Sequence, residues 1–471
     1  MARPPLPDAF STIHSRGLGL AGRDSTGIPA HVGIGSLGTL DSVIPVSDVD
    51  QVRAKLGYGP LANAVAECLR AGARTVLAVP ADIGTNGANG DVTSSKTGDG
   101  TVVASGNPND AYDILIEILT EGVLNAATFR YSLDGGNNWS REITVPVGGA
   151  YVIPNTGVTA TFACSTGFDA GDKYSWQTTQ PVMSTTTAQD AIDALLASDS
   201  SFGLVHLVGP SSSAMWTVLD TLAVKAAGGH RHIHIVAEAD VQAADETLDQ
   251  WRDGLIAEQA GFASDYVQVV SAMWVIADPI TGQLRGRNLA AIFVGWTVAG
   301  QKVSDSPAHV ERGPVPMVRG GMKYAVPKDL TYADIVALDA ARYVTFRMFE
   351  DLDGVYATAD PMMSAETSDF RYAHLRRVMN KAAREVRLAV LPHVWGDADA
   401  IGQRAVVTSG KRPLQRMKDA GEIADYAVLI PAGQDVLGTG QLTVKIRIQP
   451  KPKSPWIETD LGFVNPYASA A

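Results

Sequence analysis

An apolar strand and helix alternation starts near Ala30 in this chain, breaks off at Pro80, and resumes near residue 187. In the first stretch AHVGIG, SVIPV and TVLAVP read as strands, with SDVDQVRAKLG and LANAVAECLRAG as helices between them. In the second, helices over 187–198, 212–227 and 243–260 alternate with the runs GLVHLVG, IHIVAE and YVQVVSA. Strands separated by helices require crossover connections, so the expected product is a mainly parallel sheet covered on both faces. A chain that leaves such a pattern and rejoins it carries an insertion.

The inserted block has a different period. YDILIEIL alternates apolar and acidic residues, TFRYSLDGGNNWSREITV reads as a hairpin around Asp134-Gly135-Gly136, and VTATFAC and DKYSWQTT supply further strands. Residues 88–183 are expected to form an all-β domain between two parts of the α/β domain, 29–87 and 184–327. The Gly, Asn, Asp, Ser and Thr of residues 81–108 predict a surface connection that packs little. Asn138-Trp139-Ser140 has glycosylation-acceptor spacing but falls at the hairpin tip, which accounts for it. Ahead of the first strand, residues 1–28 are rich in Pro and Gly and are expected as an extended arm.

With 45% hydrophobic and 19% charged residues, the 471-residue chain has apolar surface for two to four cores. The start MARPPLPDAF places prolines where a secretory leader needs an apolar run, and no stretch near 18 apolar residues is present. A chain folded in a cytoplasm, without membrane insertion, is expected. Cys68 and Cys164 fall in different expected domains and predict neither a disulfide framework nor a zinc site. A formal net charge of −12 argues against general nucleic-acid binding and directs attention to local basic patches.

Several motifs carry possible chemistry. Gly33, Gly35 and Gly38 in GIGSLG spell the dinucleotide fingerprint, but that motif needs a helix opening at its last glycine; here TLDSVIPV follows, which favours extended chain and a plain turn. HRHIHIV would put His230, His232 and His234 on one strand face, about 7 Å apart at each step, beside His206; a metal is conceivable, and a polar strand entrance is the simpler reading. Ser211-Ser212-Ser213 after Pro210 reads as a hydroxyl N-cap and lacks the spacing of a nucleophile elbow. GKRP at 410–413 lacks the second glycine of a phosphate-binding loop, and Glu350, Asp351 and Asp353 sit in a solvated turn. No catalytic, cofactor or metal residues are assigned, and the competing class is an α/β enzyme using GIGSLG or HRHIH.

The remaining segment, 328–454, is expected as an α+β domain: a helix through Asp339, the strand pair YVTFRMF and GVYATAD joined at Asp353-Gly354, a long helix, a second helix, and the strands YAVLIPA and QLTVKIRIQP. On the long helix Leu375, Val378, Met379, Ala382, Val386 and Ala389 form one stripe, and Arg376, Arg377, Lys381, Arg384 and Arg387 crowd the opposite side. A solvated helix face is the plain reading; the other is that Arg377, Lys381 and Arg384, an i, i+4, i+7 ridge without an acidic residue in an acidic chain, suit an acidic partner surface. Residues 455–471, with PWIETDLGFV, are expected as a terminal strand or arm beyond the link KPKSP.

The order of parts resembles the tail sheath proteins of contractile bacteriophages and of bacterial contractile injection systems. IPAHVGIGSLGTLDSVIPVSDVDQVRAKLGYGPLANAVAECLRAGARTVLAVP is similar to the opening of that family, FRYSLDGGNNWSREITV with GDKYSWQTTQP to its inserted β domain, GQLRGRNLAAIFVGWTVAGQKVSDSPAHV to the segment before its C-terminal domain, and DLGFVNPYASAA to its closing strand. The resemblance implies a sheath-like multidomain fold with extended terminal arms and no enzymatic activity or cofactor. It implies an ATP-independent structural subunit that forms stacked rings around a tail tube, in a virion tail or a cytoplasmic contractile assembly. Its implied partners are further copies of itself, the tube protein, and baseplate and tail terminator proteins, without nucleic acid. Arg376, Arg377, Lys381, Arg384 and Arg387 are then the expected tube contacts. Trp456, Ile457, Leu461, Phe463 and Val464 are the expected residues of strand exchange between copies. An adhesin-like surface protein built around the β insertion is the third reading, and the missing leader speaks against it.

Overall fold

A computed structural model describes residues 27–462 except 244, 301 and 319. Residues 1–26 of the expected N-terminal arm, and Phe463 and Val464 of the expected terminal strand, lie outside the described residues. The chain is mixed α/β. Its central sheet has six strands in the order Val267–Val270, His234–Ala239, Leu204–Ser211, Pro29–Gly33, Val76–Pro80, Ile44–Val46. The first five run parallel, and Ile44–Val46 pairs antiparallel to Val76–Pro80 at one edge.

Every residue of Pro29–Gly33 and Val76–Pro80 is buried, as a strand covered on both faces requires. Alternate side chains serve two separate cores. Val76 and Ala78 pack with helices Pro60–Arg70 and Ala290–Val298, while Leu77 and Val79 pack with helices Thr185–Ala197 and Ser213–Gly228. The first two helices touch closely because Gly295 has no side chain: a Cβ there would lie 2.4 Å from the Cys68 carbonyl oxygen. Ser184 and Thr187, and Thr247 and Gln250, form the capping boxes that start two of the helices on the other face.

The glycines of GIGSLG lie in the connection between strands Pro29–Gly33 and Ile44–Val46, and the next helix, Val52–Leu56, begins well beyond them. Gly38 has φ 105°, and a Cβ would meet Pro80 Cγ at 2.7 Å, so the glycine is explained by the turn it makes. The serine run also differs from expectation. Ser212 occupies the N-cap of helix Ser213–Gly228 without a side-chain bond, because the Glu258 carboxylate accepts the Ser213 N–H at 2.6 Å instead. Ser211 Oγ turns inward, donating to the Glu238 carbonyl and accepting from Trp216 Nε1.

Between Thr85 and Val182, which bridge at the neck, the chain forms two small sheets. One runs Thr93–Ser95, Lys173–Gln177, Asp113–Thr120, Thr128–Ser132, Ile143–Thr144, and the other Thr101–Gly106, Val158–Ala163, Ala150–Ile153. Ile114, Ile116, Phe129, Phe162, Phe168 and Tyr174 fill the space between them. The expectation of a loosely packed connection over 81–108 is corrected here. Thr93–Ser95 and Thr101–Gly106 are edge strands whose ladders hold them while most of their side chains face solvent; only Val102 is driven into the core.

Charged residues fix this sandwich to the α/β body. The Asp110 carboxylate accepts from Asn63 Nδ2 at 2.6 Å and from Arg285 Nη1 at 2.8 Å, and Asp134 Oδ2 accepts from the Leu284 N–H at 3.1 Å. Arg287 lies 2.7 Å from Glu67, whose carboxyl is pushed up to about 8 by burial, with the guanidinium only partly offsetting that.

The histidines do not form the expected stripe. Of the three in HRHIHIV, His234 alone belongs to a strand; His230, at φ 62°, and His232 lie in the connection before it. His31 and His206 sit at the same register on adjacent parallel strands, with Nδ1 atoms 2.8 Å apart, so one ring donates to the other. His206 Nε2 lies 3.1 Å from the Glu238 carboxylate. Burial, then the neighbouring His206, holds His31 well below the ordinary 6.5, and burial with Arg377 and Arg376 takes His234 down to about 3. Both rings are neutral when folded and accept protons more readily when unfolded, so their contribution to stability is complete above pH 6.5 and declines as the pH falls below it. Urea unfolding midpoints should therefore drop on acidification below pH 6.5, and His234→Leu should drop less steeply than the parent chain.

Candidate assembly surfaces

The long helix, Ala373–Val390, starts where Asp360 provides an acceptor: its carboxylate takes the His374 backbone N–H at 2.9 Å and bonds His374 Nδ1 at 2.8 Å. Val378 and Ala382 of the expected apolar stripe are buried, whereas Met379 is 39% exposed. The opposite side is not the free cationic face that the helical wheel predicts. Arg376 and Arg377 are 7% and 5% exposed. The Arg376 guanidinium lies 3.9 Å from the Tyr266 ring centroid and 4.8 Å from that of Phe370, and Arg377 Nη2 donates to the Thr297 carbonyl at 3.4 Å. Lys381 Nζ donates to Glu422 at 2.8 Å, with Glu385, one turn on, at 3.9 Å. Flat guanidinium groups pack on aromatic faces, and a wheel gives the direction of a side chain without the element that covers it. Here helix Ala400–Asp419 packs on one side and the start of strand Val267–Val270 is approached on the other.

Arg384 and Arg387 keep their charged ends accessible. Arg384 Nη2 reaches Ser201 Oγ at 3.4 Å, and Arg387 is exposed. Together with Ser200, Ser201, His230, Arg231 and His232 they line a cleft of about 220 Å³ with no acidic residue in its wall.

A second surface lies at the end of the chain. Strands Ile423–Leu429 and Lys445–Pro450 pair antiparallel with each other and with no other strand among the described residues, so the outer edge of each is unpaired. Past Pro450 residues 451–462 join no helix or strand, and Trp456, Ile457 and Leu461 are 82%, 82% and 91% exposed. An exposed edge beside a free apolar arm is a template for pairing with another chain.

Among the described residues no group of three or more His, Cys, Asp and Glu converges to hold a metal. A cavity of about 260 Å³ at the junction of body and sandwich is lined by Arg53, Arg285, Asp110, Tyr112, Tyr131 and Trp139.

The fold is that of contractile tail sheath proteins. The sheath tail protein of Desulfitobacterium hafniense superposes with a TM-score of 0.50 at 16% identity, over 95% of this chain and all of that one. The sheath tail protein Lin1278 of Listeria innocua gives 0.51 at 15% identity over 90% and 92% of the two chains. The sheath of an extracellular contractile injection system, PVC, in the contracted state gives 0.57 at 12% identity over 98% of each. By sequence the chain belongs to the DUF2586 family, whose N-terminal domain matches residues 6–360 and whose C-terminal domain matches 369–468. A protein of Haemophilus phage HP1 (strain HP1c1), provisionally named a tail sheath protein, is 32% identical over 151 residues, 31% of this chain. That match spans 36% of the phage protein's own length.

Lys381 and Arg387, both expected in one ridge, should separate in a stability assay. Lys381→Ala leaves Glu422 buried without its cation and should cost about 3 to 5 kcal/mol. Arg387→Ala removes an exposed group and should stay within about 0.5 kcal/mol of the parent, both read from urea unfolding.

Proposed function

We propose that this chain is the non-enzymatic structural subunit of a contractile tail sheath. Copies polymerise around a tail tube, and passage from an extended to a contracted lattice drives the tube through a target envelope without ATP. The sheath fold and the name of the HP1 relative support this reading, and one observation carries it: a two-stranded sheet with unpaired edges next to an arm that leaves Trp456, Ile457 and Leu461 in solvent.

An isolated two-stranded sheet is marginal in water, and an added strand supplies main-chain hydrogen bonds at about 1 kcal/mol net each. The arm of one copy completes the sheet of its neighbour by strand addition. KPKSP, between Pro450 and Trp456, has prolines that resist a local hairpin and give the arm reach. Bodies so linked reorient while the mesh stays joined. The expected exchange residues Phe463 and Val464 and the expected arm of residues 1–28, all but residues 27 and 28 outside the described residues, belong to the same proposal.

In this arrangement the inserted domain, 88–183, faces outward, and the C-terminal domain, 328–454, faces the tube. The five-residue tube ridge narrows. Arg376, Arg377 and Lys381 are engaged inside the chain, so the ridge as a whole is not available to the tube, and Arg384 and Arg387 keep accessible charge for an acidic surface of another chain. Contraction follows if tube contacts are exchanged for stronger contacts between sheath copies, since a lattice moves only toward the state with the more favourable interactions. Baseplate and terminator proteins are the proposed partners at the two ends, in a virion tail or a cytoplasmic assembly.

Deleting residues 456–471 tests the strand addition. The parent chain should form striated tubes in negative stain, and the truncated chain should stay monomeric by sedimentation; tubes from the truncated chain would refute the exchange.

A further inference from the structure

The accessible cations of the cleft have a counterpart in the same chain. The hairpin Phe346–Phe349 and Leu352–Ala357 turns at Glu350 and Asp351, not at Asp353-Gly354 as its sequence suggests, because Phe349 pairs with Leu352. Gly354 instead sits inside the second strand at φ 94°, where a Cβ would lie 2.5 Å from Pro314 Cβ. The tip therefore presents Glu350, Asp351, Leu352 and Asp353, all exposed. Leu352 is 41% exposed, and no salt bridge among the described residues engages the three acids.

The cleft matches this tip in chemistry. Arg231 is held in place by the carbonyls of Leu195 and Ser198 and lies 5.6 Å from the Phe202 ring centroid, so one cation is preset. Arg384 and Arg387 supply two more, Ser201 a hydroxyl, and Leu388, 56% exposed, an apolar lip. His232 is held below its ordinary value by burial first and then by Arg376, His230 and Arg387, as expected in a cationic setting.

Topology places the two surfaces at opposite ends of the central sheet. Residues 200–202 and 230–233 immediately precede the parallel strands Leu204–Ser211 and His234–Ala239, so the cleft is at the N-terminal edge. Val344 bridges in parallel to Val270, the last residue of strand Val267–Val270, so the hairpin that follows projects beyond the C-terminal edge. A chain cannot bring its own tip to its own cleft while the sheet lies between them.

We propose that the acidic tip Glu350–Asp353 of one copy docks in the cationic cleft formed by Arg231, Arg384 and Arg387 of a second copy. The inference rests on the chain being a self-assembling subunit. A contact between two different surfaces of identical chains is head-to-tail and propagates into rings or helices. Four residues cover far less than the roughly 1,200 Å² of a stable interface, so the contact sets the register of copies already joined by their arms. Solvent-screened charges also let it open when the lattice rearranges.

The test uses full-length chains with Cys164→Ser, so that the arms bring copies together and Cys68, the remaining native thiol, is buried. One chain carries Asp351→Cys and the other Leu388→Cys, and they are mixed under mild oxidation. A disulfide-linked 1:1 dimer is expected, falling to background when Arg384→Glu and Arg387→Glu are added to the second chain. The yield should return when Glu350→Arg and Asp353→Arg are added to the first. Unchanged thermal melting of each variant certifies the fold. No dimer, or a dimer indifferent to these reversals, overturns the proposal. So does loss of tube-protein binding by the Arg384→Glu, Arg387→Glu chain with undiminished dimer yield, which would make the tube the occupant. A dimer from a parent chain that forms no tubes would fault only the sheath reading; tubes without the dimer would fault only the tip and cleft.

Discussion

The strand Pro29–Gly33 is hydrogen-bonded on both sides, to Val76–Pro80 and to Leu204–Ser211. Its two neighbours lie on either side of the β sandwich in sequence. Joining them forces everything between Thr85 and Val182 to leave the sheet and return through one neck. The complete burial of two of these strands makes this pairing firm, since no residue in Pro29–Gly33 or Val76–Pro80 has a solvent face to turn outward. The two cores, the covering helices and the position of the insertion all depend on it.

Buried charge then decides orientation. Asp110 collects Asn63 from the body and Arg285 from the hairpin Met273–Ala277 and Leu284–Asn288, and Asp134 accepts from Leu284. An apolar junction would allow the sandwich to slide, whereas directional bonds to a buried carboxylate hold one geometry. The same logic operates in the C-terminal region. Lys381 and Glu422 tie the long helix to the start of the last hairpin, in a core otherwise made of only a few side chains such as Val378, Leu414 and Ile423.

These internal ties withdraw three of the five ridge cations from partners. Arg376, Arg377 and Lys381 hold the helix Ala373–Val390 to the rest of the chain, and of the five cations on that helix only Arg384 and Arg387 line the cleft at the sheet's N-terminal edge. The arm past Pro450 adds three exposed apolar side chains, Trp456, Ile457 and Leu461.

Period and composition determined the strand and helix alternation, the β character of the insertion, and the split of the body around it, because Val-rich runs such as TVLAVP and alternating ones such as YDILIEIL express burial on two faces or one. Tertiary structure alone decided what long-range neighbours supply. The strands Thr93–Ser95 and Thr101–Gly106 have polar sequences and exist through their ladders. Glu258 caps a helix that starts 45 residues before it. His31 meets His206 across 175 positions. Whether Arg376 and Arg377 face solvent depended on Tyr266, Phe370 and Thr297, and where the hairpin turns depended on Pro314 packing against Gly354. A helical wheel or a turn dipeptide encodes direction along one element, and burial is fixed only by the second element that arrives to cover it.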